Sequence, residues 1–193
     1  SNWDAWHVTQ ATMLPQCSGL TPLVSNQIWH NLADRSAENS VIPACRDKGV
    51  SIICFGVLAQ GFLSGKYTRD GEKSDRAKNM SPDLDSASFS WENLAIDRNW
   101  KVLDILKRIA MEHQVPVPSV VLRWQLDSGS ADVLLLGASR IEQFEQNMQV
   151  LDLALSGEEI GELNEASSVP EPYPINFHNL FCRRESEYYG GLR

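Results

Sequence analysis

The sequence predicts an α/β fold in which parallel strands alternate with helices. Segments with helical and with strand-like patterns alternate along the chain and are joined by short connections, which is typical of parallel βαβ units. Residues 50–55 are apolar at nearly every position, as expected for a strand of a parallel sheet covered on both faces. With 193 residues, of which 42% are hydrophobic, the chain is long enough to bury a substantial core.

The first part of the chain predicts two helices and two strands. The helical spacing of Trp3 and Trp6 predicts the first helix, and Pro15 predicts the turn that follows it. Lys48 and Gly49 are a cation and a glycine at the predicted end of the second helix. The predicted elements are a helix over 3–13, a turn over 15–19, a strand over 23–28, a helix over 36–48 and a strand over 50–55.

The second part predicts four helices and one more strand. Trp100, Leu103 and Leu106 lie on one stripe of a helix, and Ser156 and Glu159 have the spacing of a capping box. The predicted helices cover residues 99–114, 118–126, 140–150 and 156–166, and the strand covers 133–136. Residues 68–95 are polar and irregular, and a loop of that length in a compact domain is usually functional or mobile.

Composition excludes several classes of partner. The net charge is −8 and the pI is about 5.0, which disfavours a nucleic-acid surface. The sequence has no apolar run long enough to span a membrane, and we expect no secretory signal. The cysteines have neither a CxxC spacing nor clustered histidines, so we expect reduced thiols, a cytoplasmic protein and no metal site. They are Cys17, Cys45, Cys54 and Cys182.

A short apolar run at 134–136 meets a small-residue turn and then the start of a helix. A strand end, a tight turn and a helix N-terminus together can bind an anion or a nucleotide, because backbone N–H groups and the helix dipole face the ligand. Polar side chains at Ser139, Gln143, Gln146 and Asn147 lie near one helix face. The alternative interpretation is an ordinary helix with Ser139 as its N-cap.

The sequence of this segment, LLLGASRIEQFEQN, resembles the last strand–helix unit of the aldo-keto reductases, in particular the branch that includes the potassium-channel beta subunits. Further segments resemble that family in its own order, and the resemblance covers residues 1–168, leaving 169–193 as a tail. It implies a (β/α)8 TIM barrel of which this chain carries only the C-terminal portion, about strands 6–8 with their helices. Three strands do not close a barrel of eight.

The resemblance also implies an NADP(H) site. Ser1, Asn2 and Gln27 correspond to the residues that hold the nicotinamide amide, and Phe55 to the aromatic residue that stacks on the nicotinamide ring. The remaining implied contacts are the backbone of Gly56, Val57, Leu58, Ala59 and Gln60 along the pyrophosphate, Lys66 at its charge, Arg76 at the 2′-phosphate, and Gly137, Ser139, Arg140, Gln143, Gln146 and Asn147 at the adenosine end. Arginines favour a 2′-phosphate, and hence NADP over NAD.

The chain departs from the family pattern at several positions. Gly56 and Val57 replace the usual Ser-Pro, Gln146 replaces a common Glu, and His30 stands where Tyr is frequent. The family's catalytic Asp, Tyr, Lys and His lie upstream of Ser1. No Tyr, Lys and Asp of this chain have a spacing that substitutes for them, and no catalytic residue is predicted.

The implied function is an NADP(H)-dependent oxidoreductase that transfers hydride to a small aldehyde or ketone, with this chain carrying the cofactor-binding half. Residues 68–93 would form a lid and the tail after Pro170 would line the substrate pocket. A regulatory or pseudo-enzyme subunit that binds the nucleotide without turnover is the alternative, and an unrelated non-redox task is the third. The chain is either part of a longer reductase or a natural short relative, and its open strand edges predict self-association or a partner that supplies the missing barrel half.

Overall fold

The computed structural model describes residues 1–71, 90–177, 180 and 181, and within them helices alternate with strands. Arg76, Cys182 and most of the predicted lid lie outside the described residues. The helices are α1 (Ala5–Ser18), α2 (Val41–Asp47), α3 (Trp91–Leu94), α4 (Asp97–Glu112), α5 (Val117–Asp127), α6 (Ile141–Met148) and α7 (Gly157–Ala166), the strands are β1 (Ser25–Trp29), β2 (Ser51–Phe55) and β3 (Val133–Leu134), and 3-10 turns cover Ser36–Asn39, Ala59–Ser64 and Gln149–Asp152.

The strands form one parallel sheet in the order β1-β2-β3, which confirms the predicted α/β class. β1 and β2 pair over their full length, from Ser25 opposite Ser51 to Trp29 opposite Phe55. β3 pairs with β2 over two residues, and a hydrogen bond of 2.8 Å from the Leu135 N–H to the Cys54 carbonyl extends the contact. Among the described residues, β3 has no strand on its outer side.

The sheet is fully covered on one face only, so the prediction of two covered faces is wrong. On β2, Ile52 and Cys54 are fully buried, whereas Ile53 and Phe55 are half-buried and Ser51 is exposed. The buried side packs with α1, α2 and α5 in a common cluster through Val8, Ile42, Cys45 and Leu122. The apolar run at 50–55 therefore has one face in the core, whereas its other face is only half-buried and leads to a cleft at Phe55.

Helix α1 is longer than the sequence predicts, because Pro15 lies inside it instead of starting a turn. The ring removes one backbone donor, but the helix continues to Ser18, whose hydroxyl donates to the Leu14 carbonyl at 2.5 Å. Gly19 then ends the helix in a left-handed conformation with φ 67° and donates its N–H to the Pro15 carbonyl. The stop signal is therefore the glycine and not the proline.

The predicted helix over 36–48 is two elements, a 3-10 turn and then α2, separated at Ser40, which has φ −151°. The 3-10 turn at Ala59–Ser64 has no counterpart in the sequence prediction. The later helices confirm the prediction within two residues, and the capping box of α7 is present in both of its hydrogen bonds. Helices α4, α5 and α7 pack with the end of β1 in the larger core cluster.

Candidate cofactor cleft

A cleft of about 1410 Å³ opens at the carboxyl ends of β2 and β3. Its walls are the loop after β2, the turn after β3, the first residues of α5 and one face of α6. Most of the residues that the resemblance assigns to a cofactor lie along it, namely Phe55, Gly56, Val57, Leu58, Gln60, Lys66, Gly137, Ser139, Gln143, Gln146 and Asn147. The carboxyl ends of parallel strands are where α/β folds bind ligands.

The loop after β2 has an unusual backbone. Gly56, Ala59, Gln60 and Gly61 have φ values of 63°, 48°, 55° and 90°. Left-handed conformations at an alanine and a glutamine are costly, and such strain tends to be kept at ligand sites. Tight hydrogen bonds from Ala59 N–H to the Gly56 carbonyl and from Gly61 N–H to the Leu58 carbonyl, at 2.7 and 2.9 Å, hold the loop along the cleft.

Gly56 is the position where the family pattern has serine, and the structure gives a reason for the glycine. A Cβ atom built at Gly56 would lie 2.1 Å from the Trp29 ring. The same ring stands edge-on to Phe55, with 5.6 Å between the ring centroids. Trp29 thus occupies the space of a side chain at position 56 and supports the aromatic residue at the end of the cleft.

The wall from α6 contributes amides and a hydroxyl. The Gln143 side-chain oxygen accepts from both the N–H and the hydroxyl of Ser139, at 3.0 and 3.1 Å. The N-cap of α6 is Arg140, not Ser139 as the alternative interpretation had it, and no side chain caps the helix. Asn147 is buried, while Gln146 is exposed.

Lys66 and Tyr67 are the ionisable side chains among the described residues that line the cleft. The Lys66 amine lies 4.9 Å from the centroid of the Tyr67 ring, close enough for a cation–π contact. Tyr67 in turn stands edge-on to Trp91 at 5.1 Å. The exposed amine can approach an anion, whereas the phenol ring packs as part of the wall.

Other predicted residues do not line the cleft. Asn2 makes hydrogen bonds to the edge of β1 that faces away from β2. Its N–H donates to the Gln27 carbonyl at 2.7 Å, and its side-chain oxygen accepts from the Trp29 N–H at 3.0 Å. Ala59 is fully buried, and Arg140 and Ser1 are exposed without lining the cleft. Sequence reasoning also missed wall residues, chiefly Tyr67 and the Pro116–Val117–Pro118 segment, whose two prolines were the available signal.

A buried polar network behind the cleft was not predicted either. His30 is fully buried and contacts Glu38 at 2.7 Å through Nε2 and the Gln125 side-chain amide at 2.6 Å through Nδ1. Arg35 binds both Glu38 oxygens at 2.8 Å and reaches Ser167 just after α7. Burial raises the pKa of Glu38, but the hydrogen bonds from His30 and Arg35 outweigh it and hold this pKa at about 2. The network connects the end of β1 to the C-terminal end of α7.

The profile of the aldo/keto reductase family matches residues 1–168. The chain belongs to the aldo/keto reductase family. Members of the family adopt a (β/α)8 barrel, and the parallel sheet and helices described above are consistent with part of such a barrel. Members generally use nicotinamide cofactors. The predicted family is thereby confirmed.

Individual relatives are reductases and dehydrogenases. The chain is 28% identical to an aryl-alcohol dehydrogenase from Pestalotiopsis microspora, covering 92% of this chain and 42% of that protein. It is 27% identical to a probable aldo-keto reductase from Glycine max over 82% of this chain and 44% of that protein. It is 30% identical to an NADH-specific methylglyoxal reductase from Escherichia coli over 67% of this chain and 37% of that protein. The chain spans about two fifths of the length of these relatives.

The described residues contain neither a candidate membrane span nor a candidate metal site. None of the helices is both long and apolar enough to cross a bilayer. Within the same residues, His, Cys, Asp and Glu side chains do not come together in groups of three that could hold a metal ion.

Proposed function

We propose that this aldo/keto reductase chain forms the dinucleotide site of an NADP(H)-dependent oxidoreductase that acts on a small aldehyde or ketone. One observation carries the proposal: the residues assigned from the family pattern on two separate segments, 55–66 and 137–147, line the same cleft. Residues so far apart in sequence share a wall only if the fold brings both segments to one end of the sheet.

The cleft fits an extended dinucleotide in size and chemistry. Its volume of about 1410 Å³ exceeds the roughly 300–1,000 Å³ typical of drug-sized sites. The flat face of Phe55 suits a flat nicotinamide ring, and Lys66 suits a phosphate. Gln143, Gln146 and Asn147 offer both donors and acceptors for a base.

In this proposal the residues of the chain bind and orient, and a bound nicotinamide dinucleotide supplies the hydride. Phe55 sets the plane of the ring and Trp29 supports Phe55 from behind. The loop from Gly56 to Gly61 brings backbone close to the pyrophosphate, since left-handed residues turn the chain along the cleft. Lys66 balances negative charge at the open side.

The preference for NADP over NAD is the finer part of the proposal. It depends on Arg76 and Arg140, of which the first lies outside the described residues and the second is exposed beside the cleft. A relative named for NADH specificity makes the question worth a direct measurement. We expect an arginine contribution of about tenfold in affinity for the 2′-phosphate.

A second candidate is nucleotide binding without turnover by this chain. It is favoured by the composition of the cleft wall, in which the ionisable side chains among the described residues are an exposed amine and a packed phenol. General acid catalysis needs a proton donor within hydrogen-bond reach of the carbonyl oxygen. A titration with NADPH tests the nucleotide binding that both candidates require, and a reductase assay distinguishes the candidate with turnover from the one without.

The experiment is a fluorescence titration of the chain with NADPH and with NADH, comparing Phe55→Ala with Phe144→Ala. Phe144 is a matched control because it is an exposed phenylalanine on α6 that does not line the cleft. We expect Phe55→Ala to weaken NADPH binding at least about tenfold, or roughly 1.4 kcal/mol, and Phe144→Ala to leave it unchanged. Absence of binding at millimolar NADPH would refute the site.

We further propose that the outer edge of β3 associates with additional strands, either of a second copy or of a partner that completes the barrel. Val133 and Leu135 on this edge are 50% and 51% exposed. An apolar parallel edge without a covering strand favours association. Sedimentation of the purified chain tests this, and a stable monomer at high micromolar concentration would contradict it.

A further inference from the structure

Asn31, just beyond the end of β1, has a fully buried side-chain amide that makes hydrogen bonds to two separate parts of the chain. Its side-chain oxygen accepts from the N–H groups of Ala33 and Asp34, at 2.9 and 3.1 Å, and closes the turn after β1. Its side-chain nitrogen donates to the Gly56 carbonyl at 3.0 Å. Only this orientation of the amide satisfies both sides, since two donors face the oxygen and an acceptor faces the nitrogen.

The hydrogen bond from Asn31 to Gly56 lies just beyond the last residue pair of the β1–β2 ladder. The β1–β2 ladder ends with Trp29 opposite Phe55, so the ladder does not restrain Gly56. Gly56 has φ 63° and has no space for a side chain beside Trp29. The Asn31 amide thus continues the cross-strand connection one residue beyond the ladder, at the first position of the cleft loop.

The ring of Phe55 is coupled to this connection. Phe55 precedes Gly56 directly and meets Trp29 edge-on at 5.6 Å. The Gly56 carbonyl belongs to the peptide between Gly56 and Val57, so a change in its orientation alters the φ and ψ angles of Gly56. Because Phe55 is attached through Gly56, such a change would move the Phe55 ring relative to Trp29. The Gly56 carbonyl also accepts from the Ala59 N–H at 2.7 Å, so the Asn31 donor and the turn at Ala59 hold the same oxygen.

We infer that Asn31 is a positioning residue, which fixes the Gly56 carbonyl and thereby the Phe55 ring on which a nicotinamide would lie. This inference rests on the proposed function for its ligand, but its geometric part concerns the ligand-free chain alone. Asn31 is not among the residues that line the cleft, and it acts through the peptide between Gly56 and Val57 and the backbone of Gly56.

The test compares Asn31→Asp with Asn26→Asp. When ionised, Asp retains an acceptor for the turn but has no proton to donate to the Gly56 carbonyl. Asn26 is a matched control because it is a buried amide on β1 whose nitrogen faces the Trp3 carbonyl and the Cys45 sulfur, away from the cleft. Asn31→Ser, which can also close the turn with its hydroxyl, replaces Asn31→Asp if the aspartate variant does not fold.

The first readout is a pair of affinities, for NADPH and for 2′-phospho-ADP-ribose, which lacks the nicotinamide ring. We expect Asn31→Asp to weaken NADPH binding about tenfold while its affinity for 2′-phospho-ADP-ribose stays within about twofold of the parent. Asn26→Asp should change neither affinity beyond about twofold. Equal loss of both ligands in Asn31→Asp would mean a general structural role and would overturn the inference.

The second readout needs no ligand. Hydrogen exchange of the backbone over residues 55–60, measured by mass spectrometry, should be about tenfold faster in Asn31→Asp than in Asn26→Asp at equal global stability. Equal exchange in the two variants would overturn the inference. If the parent chain binds neither nucleotide, the proposed function fails, and this exchange comparison still decides the role of Asn31.

Discussion

Replacement of Gly56 by alanine is the sharpest test of how the cleft loop is held. A Cβ atom at this position would approach the Trp29 ring carbons Cζ3 and Cε3 to 2.1 and 2.4 Å, which is closer than any real contact. The residue also has φ 63°, where an alanine is strained. Two separate costs therefore apply at one position.

The magnitudes follow from these two costs. A left-handed alanine costs about 1–2 kcal/mol, and overpacking of a rigid ring costs about 1–3 kcal/mol. We expect Gly56→Ala to lower the free energy of unfolding by about 2–5 kcal/mol. Gly129→Ala is the matched control, because Gly129 has φ 67° but nothing within 4 Å of its Cβ position, so it should lose only the first amount.

The assay is urea denaturation followed by far-ultraviolet circular dichroism, in a double-mutant cycle with Trp29→Leu. The smaller side chain should remove the steric cost, so that Gly56→Ala in the Trp29→Leu background loses only about 1–2 kcal/mol. If Gly56→Ala costs the same as Gly129→Ala, or if Trp29→Leu leaves its cost unchanged, then the ring does not restrict position 56 and the reasoning is wrong.

Three further predictions concern the polar contacts. Glu38 has a pKa of about 2 in the folded chain against an ordinary 4.5, so its stabilisation is present above about pH 4.5 and is lost as the pH falls toward 2. That shift corresponds to roughly 3 kcal/mol, which solvent screening of a 31% exposed side chain reduces to about 1–2 kcal/mol. In the Glu38→Gln variant, the free energy of unfolding should therefore depend less on pH over this interval. Asp132 accepts from a β2 backbone N–H and from Arg46, which lower its pKa, and Asp132→Asn should cost about 1 kcal/mol in urea denaturation, whereas no loss would mean that β3 is held without this contact. Ser156→Ala should cost about 1 kcal/mol by removing the N-cap of α7, and a thermal midpoint equal to that of the parent would contradict the importance of the capping box.

Local signals in the sequence predict much of the fold. Ser156 and Glu159 define a helix start by themselves, since both of their hydrogen bonds lie within four residues. Helix α4 follows from its apolar stripe because burial of one face needs only a 3.6-residue period. The prediction was wrong where the outcome depends on neighbours, as at Pro15, whose lost hydrogen bond did not end α1.

The candidate site divides in the same way. Motifs predicted the two chain segments that line the cleft, because glycines, an aromatic residue and polar side chains stand at the spacing of a known family. They did not predict that Asn2 lies along the outer edge of β1, where its N–H donates to the Gln27 carbonyl, or that neither Asn2 nor Gln27 lines the cleft. That placement depends on the register between β1 and the segment before α1, which no local pattern encodes.

The sequence by itself determined the α/β class, the family and the two segments that line the cleft, since these depend on periodicity and on motifs within a few residues. Only the tertiary structure decided why position 56 is glycine and why Asn31 is buried. The first answer requires the contact between Gly56 and the Trp29 ring, and the second requires the hydrogen bond from Asn31 to Gly56, which lies 25 residues further along the chain. Such contacts are set by sheet register and side-chain packing, which become defined only when the strands pair.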